Sequence, residues 1–443
     1  MNLLALEAGF ALVGLSCVPF CLWYFGGKVG RRNAALCLAS AASAALAVRA
    51  EGAITTLALL ELSSLLLALV LLKDGALLSV YLSVQVMSGT AALSGLALAG
   101  CGGYRELGVA VATLGMLLKA GAFPLHFWLP RVHGDAPAPA SALLSSVAVA
   151  GGAMALSRLI PPGEASGLLF WSGAASILWG TGQGLLQRDS KRALAYSTVA
   201  AMGVALVLAS RGEEGRLALS AHLLAHALYK ATLFMAVGVV EKSSGRDLLL
   251  ARDPFRGAWP IPVAMVVAIA SALGTPATIG FSSKELSKEA LLQVGKGMAL
   301  LAGVAPTVVL GRLLALLVAG GLGGLSSGAL NPRRDLGVLL LSASLLLPIL
   351  AGLPPAERAR AWAGEAALAL KLSIAAYLLA RPLARPWDLE DLLFGRGLLR
   401  MSRLLAGRAS PEREGDESPP YPLAILAISL ALLAVAVANT AAR

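Results

Sequence analysis

The chain has 443 residues, of which 57% are hydrophobic and 14% charged, with a mean hydropathy of +0.77. That balance excludes a soluble domain of this length; since a membrane span needs about 20 apolar residues and such runs recur from end to end, it predicts an all-α polytopic membrane protein. The formal net charge of +11 is spread over short loops rather than gathered on one domain, which argues against a nucleic-acid partner and for membrane orientation.

Apolar runs read against loops predict about fourteen spans, near 3–25, 33–49, 53–73, 76–100, 106–130, 139–159, 167–186, 191–210, 216–240, 259–281, 296–320, 335–353, 362–380 and 421–440. The first is too long for a signal peptide and lacks a basic start, so it reads as a retained span. Cys17, Cys21, Cys37 and Cys101 lie in or beside spans without paired metal-ligand spacing and read as small packing residues. Lys28, Arg31 and Arg32, then Arg188, Lys191 and Arg192, then Lys242, Arg246, Arg252 and Arg256, and the Arg-rich stretch 381–413 fall on one side. The positive-inside rule makes that side cytoplasmic and turns both termini outward, as expected of a multi-pass protein of the cell (inner) membrane.

The third span carries a lone carboxylate, Glu61, with no basic residue in the same span. A carboxylate in hydrocarbon is neutralised or finds a cation, so Glu61 calls for a partner on another helix; the alternative is a carboxylate close enough to the interface to reach water. Lys119 in the fifth span is the candidate. It stands five residues before Pro124, and with Gly115, Gly121 and Pro130 around it the helix is expected to be kinked or interrupted. Interrupted helices in membranes are tolerated where the freed backbone is buried in protein or lines a hydrated cavity, although an ordinary proline kink beside a satisfied lysine would read the same way. The stretch Arg131-Val-His133-Gly-Asp135-Ala-Pro137-Ala-Pro139 is expected to be a tight non-helical loop.

The ninth span holds His222-Leu-Leu-Ala-His226-Ala-Leu-Tyr-Lys230. Three protonatable groups four residues apart share one stripe of a helix, over about 12 Å of its axis. Lys230 is followed by ten uncharged residues, Ala231 to Val240, so this stripe lies deep in an apolar segment, where ionisable side chains usually mark an ion or proton path. The alternative is two histidines bonded to neighbours and a snorkelling lysine.

The order of these motifs resembles the antiporter-like membrane subunits shared by respiratory complex I, group 4 membrane-bound hydrogenases and Mrp-type cation/proton antiporters. The matching segments are Lys119-Ala-Gly-Ala-Phe-Pro-Leu-His-Phe-Trp-Leu-Pro130, Ala136-Pro-Ala-Pro-Ala-Ser-Ala-Leu-Leu144, Asp189-Ser-Lys-Arg-Ala-Leu-Ala-Tyr-Ser-Thr198 with Gly203, His222 to Lys230, and Gly280-Phe-Ser-Ser-Lys284-Glu285. The resemblance implies an inverted five-helix repeat with one interrupted helix in each half, here the fifth and tenth spans. It implies that Glu61 pairs with Lys119 and controls its proton affinity, that Lys230 is the central lysine with His222 and His226 as relays, and that Lys284, or Glu285 beside it, ends the path. His126, His133, Ser145 and Ser146 are further relay candidates. Physical chemistry supports such roles: burial disfavours an ammonium, a neighbouring carboxylate restores it, and histidine titrates near working pH.

Three departures stand out. Leu144-Ser145-Ser146 occupies the place where complex I members usually carry a histidine, only two spans precede the Glu61 helix, and the carboxyl end lacks a long bracing helix. In place of that brace, 385–420 reads as an interfacial amphipathic helix and polar linker that could dock a neighbouring subunit. The expected organisation is thus 1–50 amino-terminal helices, 51–211 and 212–384 the two halves of the core, 385–420 the interfacial segment and 421–443 a last transmembrane helix.

There is no phosphate-binding loop, dinucleotide fingerprint, CxxC pair or hydrolytic triad, so chemistry on a bound substrate is not expected in this chain. The leading expectation is a non-catalytic, proton-translocating subunit of a hydrogenase- or formate-linked or Mrp-type complex. Its expected partners are other membrane subunits, lipid, and a hydrogenase-like or quinone-reductase-like peripheral arm holding any metal centres, with no cofactor in this chain. The membrane half of an inorganic-carbon uptake pair and a structural spacer with a broken path are the competing expectations.

Overall fold

The structure, a computed structural model, describes residues 3–321 and 330–347 and, beyond them, 363–364, 367–368 and 371–375. These residues are helical with short connections, and no strand occurs among them. The opening helices α1 (Leu3–Phe25), α2 (Gly27–Arg49), α3 (Ala53–Val70) and α4 (Gly75–Ala99) run alternately up and down. The fifth predicted span is divided into α5 (Arg105–Ala120) and α6 (Trp128–Asp135). The sixth is α7 (Ala138–Leu143) and α8 (Val149–Leu159), joined through a π turn at 144–148. Then come α9 (Ser166–Leu186), α10 (Ser190–Ala209), α11 (Glu213–Ser244), a second divided span of α12 (Pro260–Leu273) and α13 (Ile279–Leu292), α14 (Lys296–Ala319) and α15 (Pro332–Ser344).

Seven of these helices, with α7 to α8 taken together, are long and apolar enough to cross a membrane unaided. The two divided spans fall short because each is cut into shorter pieces. Most of the predicted span near 362–380, the interfacial segment 385–420 and the span near 421–440 lie outside the described residues.

Two sequence expectations need correction. The stretch 131–139 is not a loop: α6 runs on to Asp135 and α7 begins at Ala138. Its prolines fall where a helix has no use for their missing amide, Pro130 and Pro139 in first turns and Pro137 at an amino-terminal cap. The tenth span does not end at 281 either. After the break at Gly274–Thr278 the helix continues to Leu292 with a polar face that hydropathy does not register.

α11 is the axis of the fold. Its 32 residues span about 48 Å, and from Ala218 to Val240 every residue but His222 is buried. α10 from Ala193 to Leu208 and the α7–α8 segment from Ala138 to Leu156 are likewise buried. The outer helices turn large apolar side chains outward, among them Trp171, Leu178, Val263 and Met87, as a lipid solvent demands. Helix contacts are close where glycines meet: a Cβ on Gly173 of α9 would lie 2.7 Å from the Gly203 carbonyl of α10, and one on Gly203 would lie 2.6 Å from that of Gly173.

The two ends of the bundle differ. At one end Arg49 pairs with Glu7, Arg105 with Glu164 and Arg211 with Glu214. At the other, Arg246 reaches Asp135 at 3.3 Å and Asp189 at 2.7 Å, Arg192 reaches Asp135 at 3.4 Å and Arg188 reaches Asp247 at 2.6 Å. These are termed the Arg49 face and the Arg246 face. The α5–α6 span runs from the Arg49 face to the Arg246 face, while α12–α13 runs the opposite way, its end at Gln293 bonded to Arg211.

Candidate functional site

The two breaks are built alike. Each begins with a left-handed glycine, Gly121 at φ 63° and Gly274 at φ 72°. In the first, the Gly121 amide donates to the Leu118 carbonyl at 3.2 Å and the Ala122 amide to that of Leu117 at 3.1 Å; in the second, Gly274 donates to Ser271 and Thr275 to Ala270, both at 2.9 Å. This is the Schellman closure, which needs a residue able to adopt positive φ. The carbonyls and amides released at the first break find partners in neighbouring side chains. Trp128 Nε1 donates to the Leu118 carbonyl at 2.9 Å, and on α9 Ser176 accepts from the Phe123 amide at 2.8 Å while Ser172 donates to the Phe123 carbonyl at 2.5 Å. A break so dressed is tolerable inside a membrane.

Lys119 is the second-last residue of α5, immediately before the first break, and is 1% exposed. Its ammonium donates to Glu61 Oε1 on α3 at 2.8 Å, to Gln85 Oε1 on α4 at 2.9 Å and to Ser64 Oγ on α3 at 3.0 Å. The structure thus brings together the partners expected from sequence. It adds Gln85, the one amide side chain of α4, and Ser64, a hydroxyl about one turn along α3 from Glu61. The amide was the legible signal, since a buried polar side chain in a span asks for a partner.

Lys230 is fully buried in the middle of α11. Its ammonium donates to the Leu194 carbonyl at 2.9 Å and to Ser197 Oγ, both on α10. Ser197 and Thr198 hydroxyls also donate to that carbonyl, at 2.8 and 3.0 Å, so one backbone oxygen gathers three donors. Both hydroxyls belong to the Asp189-to-Thr198 motif, whose start is fixed by Asp189 accepting from the amides of Lys191 and Arg192.

The histidines line up as the stripe predicts. His226 pairs through Nδ1 with Tyr229 Oη at 3.2 Å and through Nε2 with the Ser145 carbonyl at 3.3 Å. His222 lies one turn further, its ring centroid 6.2 Å from that of His226, and Nε2 is 2.9 Å from the Ala201 carbonyl. Ser145 Oγ shares a 2.8 Å hydrogen bond with Thr198, and Ser146 Oγ donates to the Ala142 carbonyl. His133 is fully buried on α6, with Trp128 and Phe234 rings at 6.0 and 6.1 Å, and neither ring nitrogen has a side-chain hydrogen-bond partner among the described residues. His126 sits apart, its ring 5.4 Å from Phe123 and 5.9 Å from Trp179 against α9.

A cavity of about 320 Å³ opens beyond His222 towards the Arg49 face, lined by Tyr229, Lys284, Ser287, Lys288, Lys296 and Thr307 among others. Lys284 crosses the mouth of the second break, where a Cβ on Gly274 would lie 2.6 Å from its Cδ, and its ammonium donates to the Gly303 carbonyl at 2.5 Å. Glu285 is half-buried and is not part of this lining. Among the described residues no cluster of three or more His, Cys, Asp or Glu is placed to hold a metal ion.

The sequence profile described as NADH:quinone oxidoreductase/Mrp antiporter, TM, matches residues 47–310. Curated relatives include an uncharacterised protein of Mycobacterium tuberculosis, 37% identical over 216 residues, 44% of this chain and 34% of that protein. A protein of Rhizobium meliloti described as a probable K(+)/H(+) antiporter component is 38% identical over 181 residues, 39% of this chain and 18% of that protein. A component of the Na(+)/H(+) antiporter of Alkalihalophilus pseudofirmus is 31% identical over 201 residues, 41% of this chain and 25% of that protein. The chain therefore spans only about a third or less of the length of these relatives. Among solved structures, a chain of the Mrp complex from Dietzia sp. DQ12-45-1b superposes with a TM-score of 0.65 at 20% identity, covering 96% of this chain and 86% of that one. A chain of an archaeal membrane-bound sulfane sulfur reductase superposes with 0.71 at 17% identity, covering 98% and 89%. The profile covers more than half of the chain and contains Glu61, Lys119, Lys230 and Lys284, so this multi-pass membrane protein belongs to the NADH:quinone oxidoreductase/Mrp antiporter family of membrane subunits.

Proposed function

We propose that this chain is a proton-translocating, antiporter-like subunit of a multisubunit membrane complex, and that it moves protons between two aqueous faces along Glu61, Lys119, His133, Lys230, His226, His222 and Lys284. The observation that carries this reading is the contrast between its two central lysines: Lys119 is locked to a carboxylate at 2.8 Å, whereas Lys230 meets only neutral oxygens among the described residues. In general a neighbouring carboxylate favours the charged form of an amine, and an amine among neutral oxygens lacks that support. Displacing Glu61 from Lys119 then alters the electrostatic field along the row, and the proton on Lys230 leaves through the histidines into the cavity at Lys284. Partner subunits would drive that displacement.

The Mrp-type branch is favoured over a hydrogenase-type one because the curated relatives above 30% identity with an assigned role bear the names of cation/proton antiporter components. The Arg246 face is assigned to the cytoplasm by its excess of Lys and Arg. The complex isolated gently from its native membrane, with every co-purifying chain and metal identified by mass spectrometry, tests the branch: metal-free membrane subunits support the antiporter, and nickel or iron–sulfur chains overturn it in favour of a redox pump. Lys230→Ala tests the path itself, since proton flux through the complex in vesicles should cease and undiminished flux would exclude the route.

A further inference from the structure

Lys191 is among the buried charges that this path leaves unused. Lys191, the second residue of α10, is 1% exposed, and its ammonium donates to the Ala136 carbonyl, between α6 and α7. Its carboxylate neighbour is Glu241 near the end of α11, 3.5 Å away, an ion-pair separation rather than a firm hydrogen bond. The Glu241 side chain is 21% exposed while its Oε2, the oxygen that faces Lys191, is buried, so this residue reaches from the rim to the sealed ammonium.

Two further observations place this pair on a route. Three residues before Ala136 on α6 is His133, buried, without a side-chain partner for either ring nitrogen, and within electrostatic reach of both Lys191 and Lys230. On the outer side, Asp135 and Pro137, the neighbours of Ala136, line a cleft of about 150 Å³ in the Arg246 face, together with Arg32, Asn33, Lys73 and Asp74. The Lys191 ammonium is thus bonded to the single residue between Asp135 and Pro137, both of which line the cleft, and that residue is three positions from the buried histidine.

We propose that Glu241 and Lys191 form the proton port of the Arg246 face, passing protons between that face's water and His133 and so to Lys230. In the inward direction Glu241 takes a proton from water, the Lys191 ammonium gives one to the His133 imidazole, the resulting amine is refilled from Glu241, and His133 hands its proton to a deprotonated Lys230. Each group of the port ends as it began and one proton has moved. The other charged and titratable groups around the pair are Arg246, 3.9 Å from Glu241 Oε1 and 2.7 Å from Asp189, with Asp135, Arg192, Tyr24 and Lys242 beside them. A lysine kept only to cap α6 would explain the Ala136 bond, but not why its carboxylate partner stands loosely at the water boundary with a histidine lacking side-chain partners behind it.

The port rests on the proton-path reading above, and the test separates the two. Everted membrane vesicles carrying the whole complex, loaded with Na+ or K+ and diluted into cation-free medium, draw protons in from the outer, Arg246, face; the initial rate is measured against outside pH. Glu241→Gln should retain the maximal rate at acid pH but need about ten-fold more protons for half of it, and Lys191→Met, which removes the relaying amine, should lower the maximal rate about ten-fold. Lys230→Ala should abolish flux at every pH. A midpoint unmoved in Glu241→Gln together with an undiminished maximum in Lys191→Met overturns the port and leaves the path standing, whereas flux surviving in Lys230→Ala overturns the path. If Lys191→Met does not assemble, Glu241→Gln at the rim decides alone.

Discussion

The Glu61 carboxylate and the Lys119 ammonium stand 2.8 Å apart, on helices α3 and α5 that are tied by this polar contact and its companions Ser64 and Gln85. Removing the negative charge while keeping the shape isolates its electrical role. Glu61→Gln should assemble normally and lower cation-coupled proton flux by about ten- to a hundred-fold. Flux in vesicles, normalised to the amount of complex, checks this, and an unchanged rate would reduce the pair to a structural tie.

The position of Glu61 also depends on what it leans against. A Cβ on Gly89 of α4 would lie 2.7 Å from Glu61 Oε1, so Gly89→Ala should push the carboxylate off Lys119. The expected outcome is a flux defect of the same kind as Glu61→Gln but smaller. Suppression of that defect when Gly89→Ala is combined with Glu61→Asp, which shortens the side chain, would show that displacement is the cause.

Much of this was legible in the sequence, because hydrocarbon makes every ionisable side chain conspicuous. Glu61, Lys119 and the His222–Lys230 stripe were found by their burial in apolar runs, and the structure brings the first two together. Where the signal was backbone rather than side chain, the reading was coarser. Proline content argued for a loop at 131–139, yet the prolines occupy first turns that need no amide. The fifth span was expected to be kinked or interrupted among Gly115, Gly121, Pro124 and Pro130; it is interrupted, and of these residues it is the left-handed Gly121 that closes the helix. Hydropathy also missed the second half of the tenth span, because α13 exposes Lys284, Ser287 and Lys288 to a cavity instead of lipid. Nor does a single serine such as Ser197 announce itself; only packing shows that it faces a lysine.

The paired glycines at the breaks give a stability prediction. Gly121 and Gly274 both hold positive φ, which an alanine adopts at a cost of about 1–2 kcal/mol. An added Cβ would also meet Leu129 Cδ1 at 2.3 Å in the first case and Lys284 Cδ at 2.6 Å in the second. Both substitutions should lower the thermal unfolding temperature of the detergent-purified complex. Gly274→Ala should in addition impair flux, because the atom it displaces belongs to Lys284, whereas Gly121→Ala displaces an aliphatic residue.

Trp128 tests the dressing of the first break on its own. Trp128→Phe retains most of the buried ring and loses the 2.9 Å bond to the Leu118 carbonyl, leaving that carbonyl, next to Lys119, without its side-chain donor. The Leu118 carbonyl keeps the Gly121 amide as a donor, so the expected loss is that of one hydrogen bond, about 0.5–1.5 kcal/mol. Proton exchange of the α5 backbone amides, followed by mass spectrometry, should speed up around Leu118 and stay unchanged in α10.

Lys230 distinguishes a moving proton from a fixed charge. Its site, fully buried against Leu194 and Ser197, would still hold a cation in Lys230→Arg, but a guanidinium is not deprotonated in proteins. If Lys230 serves only as a positive charge organising the hydroxyls of α10, the arginine variant should keep most of its flux. If the amine must release its proton to His226, Lys230→Arg should be as inactive as Lys230→Ala while assembling in normal amounts. Ser197→Ala then provides the graded case. It takes away one neutral acceptor and leaves the Leu194 carbonyl in place, so flux should fall by about ten-fold without being lost. That order, with arginine and alanine at 230 equally inactive and alanine at 197 in between, is what proton release demands and a static charge does not.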